Sequence, residues 1–213
     1  MPARLAIFDF DGTLADSWPW FTGVLDDAAI KYRFRRIDAS EAQRLRGCTT
    51  REILRALEVS WWKLPMIASY ARKRAAAEVE RITLFPGAAE VLREASRAGI
   101  TLAIVSSNQE STIRRVLGPE LAMLVAQYGC GASLFGKPAK LRQVLRQSRH
   151  AASDAIAIGD EVRDLEAARE VGVASGAVAW GYATVDALRR STPTRMFTSF
   201  DELRGFLVSG LAG

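Results

Sequence analysis

The chain has 213 residues, 49% of them apolar, and 29 Lys+Arg against 24 Asp+Glu give a formal charge of +5. That length holds one substantial domain, or one domain with a smaller insertion, and the apolar content excludes a disordered tail. The basic residues are mixed with acids along helical stretches and never form a run, so no nucleic-acid partner is expected.

Leu5-Ala6-Ile7-Phe8 is a continuous apolar run of strand length, and Asp9 follows it at once. An acid this early is unlike a secretory signal, and no apolar stretch approaches the ~18 residues of a membrane span. No membrane partner is expected, and a cytoplasmic location is. Residues 15–83 show no strand-like run and read as helices over 18–34, 39–45, 50–57 and 61–81. They form an all-helical insertion, with Trp18, Trp20, Trp61 and Trp62 expected to pack its core.

Pro86-Gly87 punctuates the start of a helix over 88–98 that ends at Gly99. Further apolar runs at 102–105, 155–158 and 173–178 alternate with helical patterns over 109–117, 139–149 and 162–171. The first of these helices is expected to stop at Gly118-Pro119. Continuous apolar strands alternating with amphipathic helices specify an α/β fold with a parallel sheet covered on both faces. Cys48 and Cys130 have no Cys or His partner at metal-ligand spacing, which leaves neither a disulfide framework nor a zinc site.

The chemistry concentrates where the strands end. Asp9-Phe10-Asp11-Gly12-Thr13 places two carboxylates two residues apart as the first strand finishes, and Gly12 lets the backbone turn sharply. Like charges that close repel unless a cation joins them. Ser106-Ser107-Asn108 follows the second apolar run, Phe135-Gly136-Lys137-Pro138 precedes a helix, and Gly159-Asp160-Glu161-Val162-Arg163-Asp164 follows a third run.

These four segments, in this order, resemble the motifs of the haloacid dehalogenase superfamily of phosphotransferases. Val178-Ala179-Trp180-Gly181-Tyr182 is similar to the segment after the fifth strand of its phosphoglycolate phosphatase-like members. The resemblance implies a Rossmann-like parallel sheet flanked by helices, with the core at 1–14 and 84–213. Residues 15–83 become a helical cap inserted after the first strand. It implies a phosphoric monoester hydrolase acting on a small phosphorylated metabolite, as a monomer or homodimer.

By the same resemblance Asp9 is the nucleophile and Asp11 the general acid and then base. Mg²⁺ is the implied cofactor, held by Asp9, the backbone carbonyl of Asp11 and Asp160. Ser106 and Lys137 bind the phosphoryl group, with Ser107 and Asn108 as alternatives to Ser106 and Lys140 an alternative to Lys137. Asp164 and Glu161 support from behind, while Asp164 also reads as a helix-surface acid. His150 reads as a solvated residue. Arg46 or Arg51, in the cap segment 46–52, is expected to reach the leaving group, against a plain surface connection. A phosphomutase and a catalytically silent binding protein are the rival readings. A dehalogenase is disfavoured because a halide needs no acid such as Asp11.

Overall fold

The computed structural model describes residues 3–45, 48, 50–131 and 136–209. Strand β1 (Leu5–Phe8) leads to a two-residue strand β2 (Ala15–Asp16), then helices α1 (Trp18–Tyr32), α2 (Ala39–Leu45), α3 (Thr50–Ala56) and α4 (Leu64–Ala77). The chain returns through β3 (Thr83–Leu84) to α5 (Ala88–Arg97), β4 (Thr101–Val105), α6 (Glu110–Leu124), β5 (Val125–Gly129) and α7 (Gly136–Ser148). It finishes with β6 (Ala155–Gly159), α8 (Val162–Val171), β7 (Ala174–Val178), α9 (Val185–Arg190), β8 (Arg195–Phe197) and α10 (Phe200–Ser209).

Six strands form one parallel sheet in the order β5-β4-β1-β6-β7-β8. Alternation along each central strand sends side chains to two cores. Ala6, Phe8, Leu102, Ile104, Ile156 and Ile158 join the larger cluster, under α5, α6 and α10. Leu5, Ile7, Ala103, Val105, Ala155 and Ala157 join the other, against α7 and α8. Every residue of β1 is buried, so each large side chain there contributes ~1.5–3 kcal/mol by leaving water. This double burial is why these strands read as unbroken apolar runs.

Register fixes the site. Phe8 lies level with Ile104 and Ile158, so Asp9, Ser106 and Asp160 emerge along one carboxyl edge. β1 stands between β4 and β6, where the chain's path across the sheet reverses, and open α/β sheets bind ligands at such a point.

Several expectations need correction. Residues 15–83 do contain strands: β2 pairs antiparallel with β3, tying the entry and exit of the helical insertion. The first helical segment of α6 does stop at Gly118, whose φ of 73° and ψ of 166° are not helical, but a second segment starts at once, with proline suited to its first turn. Trp20 is buried and donates to Glu78 Oε2 at 3.1 Å. Trp61 and Trp62 are 80% and 56% exposed and therefore pack no core. His150 is half-buried and shares a 3.0 Å hydrogen bond with Thr101 Oγ1. No described helix is long and apolar enough to cross a membrane.

Candidate active site

Asp9 leaves β1 with its backbone N–H donating to Ile158 O, and its side chain is buried. Lys137, one residue inside α7, reaches across to Asp9 Oδ1 at 3.0 Å and to Asp164 Oδ1 at 2.6 Å. Lys140 turns elsewhere, donating to Ser106 O at 2.6 Å and to Gly131 O. Of the two lysines, Lys137 is the one paired with Asp9. Asp164 is buried, not a helix-surface acid; it holds Lys137, and its Oδ2 accepts the Glu161 N–H in a capping box that starts α8.

Asp160 is fully buried. Thr13 donates to its Oδ1 at 2.7 Å and the Tyr182 N–H to its Oδ2 at 2.7 Å. The chain packs tightly around it: Gly12 has φ +79°, and a Cβ there would stand 2.2 Å from Asp160 Oδ2. At Gly181 a Cβ would meet Asp160 Cβ at 2.1 Å, so glycine is required on both sides. Ligand atoms of Asp9, Asp160 and Asp164 lie within 4.8 Å of one another.

Burial raises the Asp9 carboxyl above its ordinary value, with Lys137 opposing. Burial, reinforced by the Asp164 and Asp9 charges, drives Asp160 well above its own. Burial alone would lower the Lys137 ammonium, but the Asp164 and Asp9 charges outweigh it and hold it high. An all-oxygen, acid-rich pocket of this kind suits a hard divalent cation such as Mg²⁺, which would relieve the repulsion.

Asp11 accepts a hydrogen bond from Asn108 Nδ2 at 3.4 Å. Burial, then the Asp9 charge, pushes its carboxyl up to about 6 from 3.8. A raised acid favours folding below its unfolded value, and that contribution is lost as pH climbs through the folded value. In EDTA buffer, Asp11→Asn is expected to melt about 2–4 °C above the parent at pH 7.5 and level with it at pH 4. Calorimetry at the two pH values checks this, and a lower melting point for the variant at pH 7.5 would contradict it.

Ser106 is buried and its Oγ accepts the Asn108 N–H at 3.0 Å, a bond that does not use its own hydroxyl hydrogen. Ser107 is exposed and lines the cavity above. Glu161 pairs with Arg163, and both residues border that cavity. Arg46 lies outside the described residues, as do Phe135 and the side chain of Arg51. Thr13 and Tyr182 carry contacts for which the sequence offered no role, and Asn108, a competitor of Ser106 in the sequence, contacts Asp11. Tyr182 stood in a segment singled out by resemblance, which was the available signal.

Above the carboxyl edge lies a cavity of about 500 Å³, running from Asp11 and Asn108 up among α1, α3 and α4. An α/β sheet whose carboxylates and one lysine converge beneath such a cavity has the arrangement of an enzyme active site. The haloacid dehalogenase-like hydrolase sequence model matches residues 6–178. A phosphoglycolate phosphatase from Synechococcus elongatus is 30% identical over 188 residues, spanning 88% of this chain and 89% of its own. Tyrosine-protein kinase PtkA of Mycobacterium tuberculosis is 28% identical, over 94% of this chain and 71% of its own. A haloacid dehalogenase-like family hydrolase from Streptococcus pneumoniae superposes with a TM-score of 0.80 at 24% identity, covering 96% and 98% of the two chains. The chain belongs to the haloacid dehalogenase-like hydrolases, and within them it is phosphoglycolate phosphatase-like.

Proposed function

We propose that this phosphatase is Mg²⁺-dependent and hydrolyses a small phosphorylated metabolite through an aspartyl-phosphate on Asp9. The observation that carries the reading is the buried Asp9–Lys137–Asp164 chain beside Asp160 at the sheet's switch point. In the first step a carboxylate oxygen of Asp9 attacks phosphorus, the bond to the ester oxygen breaks, and Asp11 gives its proton to the departing alkoxide. In the second, Asp11 takes a proton from water as the water oxygen attacks phosphorus, and the Asp9 carboxylate leaves.

Lys137 holds Asp9 in position and brings positive charge to the phosphoryl oxygens, and the Ser106 hydroxyl donates to one of them. Asp9, the Asp11 carbonyl and Asp160 would hold Mg²⁺, whose charge offsets that of the phosphoryl group. Asp164 already spends one oxygen on Lys137 and the other on the α8 cap, which supports a positioning role for it. Residues 15–83 act as the cap, closing over the edge and excluding water.

The test is phosphate release from a panel of phosphate monoesters by purified protein. Turnover is expected with Mg²⁺ and is expected to fall at least about 100-fold in EDTA. No turnover above that of Asp9→Asn across the panel would sink the proposal.

A further inference from the structure

Resting on the hydrolase reading above, we propose that the alcohol released is bulky and apolar, and that the cavity among the insertion helices is its binding site. The floor of the cavity is polar, with Asp11, Ser107 and Asn108, where the ester bond would lie. Its lower wall is aromatic: Trp18 and Tyr182 meet edge to face at 5.0 Å, and Phe21 stacks on Tyr182 at 6.0 Å. Ser17 and Tyr182 share a 2.7 Å hydrogen bond, which fixes the phenol of that group beside the acid. Any leaving group departing toward Asp11 meets these rings first.

Higher up, the wall is aliphatic, from Leu54 on α3, Leu57 just after it, and Ile67, Ala68 and Ala71 on α4. On α4 the wall residues recur at helical spacing, and alanine at 68 and 71 leaves open the space that larger side chains would fill. At about 500 Å³ the cavity is of the size that encloses a ligand of many heavy atoms, and a two-carbon acid would fill only a small part.

Charge defines the competing case. A carboxylate brought among such side chains loses its hydration and needs a fixed cation. Of the described cations on the wall, Arg163 is taken by Glu161, and Arg72 stands half-buried on α4. A hydrocarbon chain needs neither and gains by leaving water. Arg72 is therefore the residue through which a small dianionic substrate would have to be read instead.

The experiment uses the full chain with Mg²⁺ and n-alkyl phosphates from ethyl to octyl, below their micelle concentrations, with 2-phosphoglycolate as the polar control. The expected result is kcat/KM rising about threefold per methylene, with octyl phosphate at least about tenfold above phosphoglycolate. Ala71→Trp, which fills the cavity, is expected to cut the octyl-to-ethyl ratio at least about tenfold. The alkyl series on the parent protein decides the matter if that variant does not fold. A flat series, or phosphoglycolate as the best substrate with a loss of tenfold or more in Arg72→Gln, overturns the proposal and leaves the phosphatase reading intact. Calorimetry with ethyl- and octylphosphonate, which cannot be hydrolysed, separates the two failures. If no ester is turned over but octylphosphonate binds at least about 100-fold tighter, the hydrolase reading falls while the apolar site stands.

Discussion

Asp9→Asn is expected to lower kcat by at least about 10⁴-fold on every substrate while leaving the protein as stable as the parent or more so. The amide oxygen is too weak a nucleophile to attack phosphorus, so the first bond is never made. Binding and charge neutralisation survive, because Lys137 keeps Asp164 and the floor keeps Asp160. The stability half of the prediction comes from burial. Asp9 is 5% exposed, and burial raises its carboxyl, so the ionised form is disfavoured in the folded chain. A neutral amide removes that strain between Asp9 and Asp160. Mass spectrometry after brief mixing with substrate is expected to find a phosphoryl adduct on the parent protein and none on the variant. Residual turnover within tenfold of the parent would show that Asp9 is not the nucleophile.

The sheet's centre was readable in the sequence because physics leaves it little choice. β1, β4, β6 and β7 are covered on both faces and need apolar residues at nearly every position. The edge strands do not. β5 runs Val-Ala-Gln-Tyr-Gly with its middle exposed or half-buried, and β8 is Arg-Met-Phe, so neither shows a pattern. The acids and the lysine were legible by another route, since the motifs holding Asp9, Asp160 and Lys137 resemble those of a known family. What joins them was not. The bond from Tyr182 onto Asp160 depends on the loop after β7 folding back over the end of β6, 22 residues away in the chain, and the bond from Thr13 on the turn after β1 meeting the same strand end across 147 residues. The exposed Trp61 and Trp62 failed for a related reason: composition says that tryptophan is usually covered, but only the packing of α1 on α4 shows which side is.

Lys137→Met is the second change expected to have a large effect, and it acts on stability and catalysis together. In the parent the ammonium sits between two buried carboxylates, 3.0 Å from Asp9 and 2.6 Å from Asp164, with Asp160 close by. Taking one partner out of a buried ion pair leaves the others uncompensated and costs about 3–5 kcal/mol. Methionine fills the space of the stem, so the loss is one of charge and not of packing. Its sign with pH follows from that. Lys137 is held above its ordinary value and stays charged through neutrality, so the penalty depends on whether the acids are ionised. As pH falls, the raised Asp9 and Asp160 carboxyls take up protons and the variant is expected to melt closer to the parent. As pH rises to 7.5 they ionise without a partner, and the gap is expected to widen to its full size. Mg²⁺ is expected to narrow it, because a cation among the same oxygens takes over part of the compensation. Activity should not return with it: kcat/KM stays down by about 10²–10³, since the fixed positive charge facing the phosphoryl oxygens is gone. Lys137→Arg keeps the charge but brings a planar fork in place of a compact ammonium, and is expected to recover stability more than turnover. If Lys137→Met melts with the parent at pH 7.5 and keeps its activity within tenfold, the lysine neither holds Asp9 nor serves the phosphoryl group.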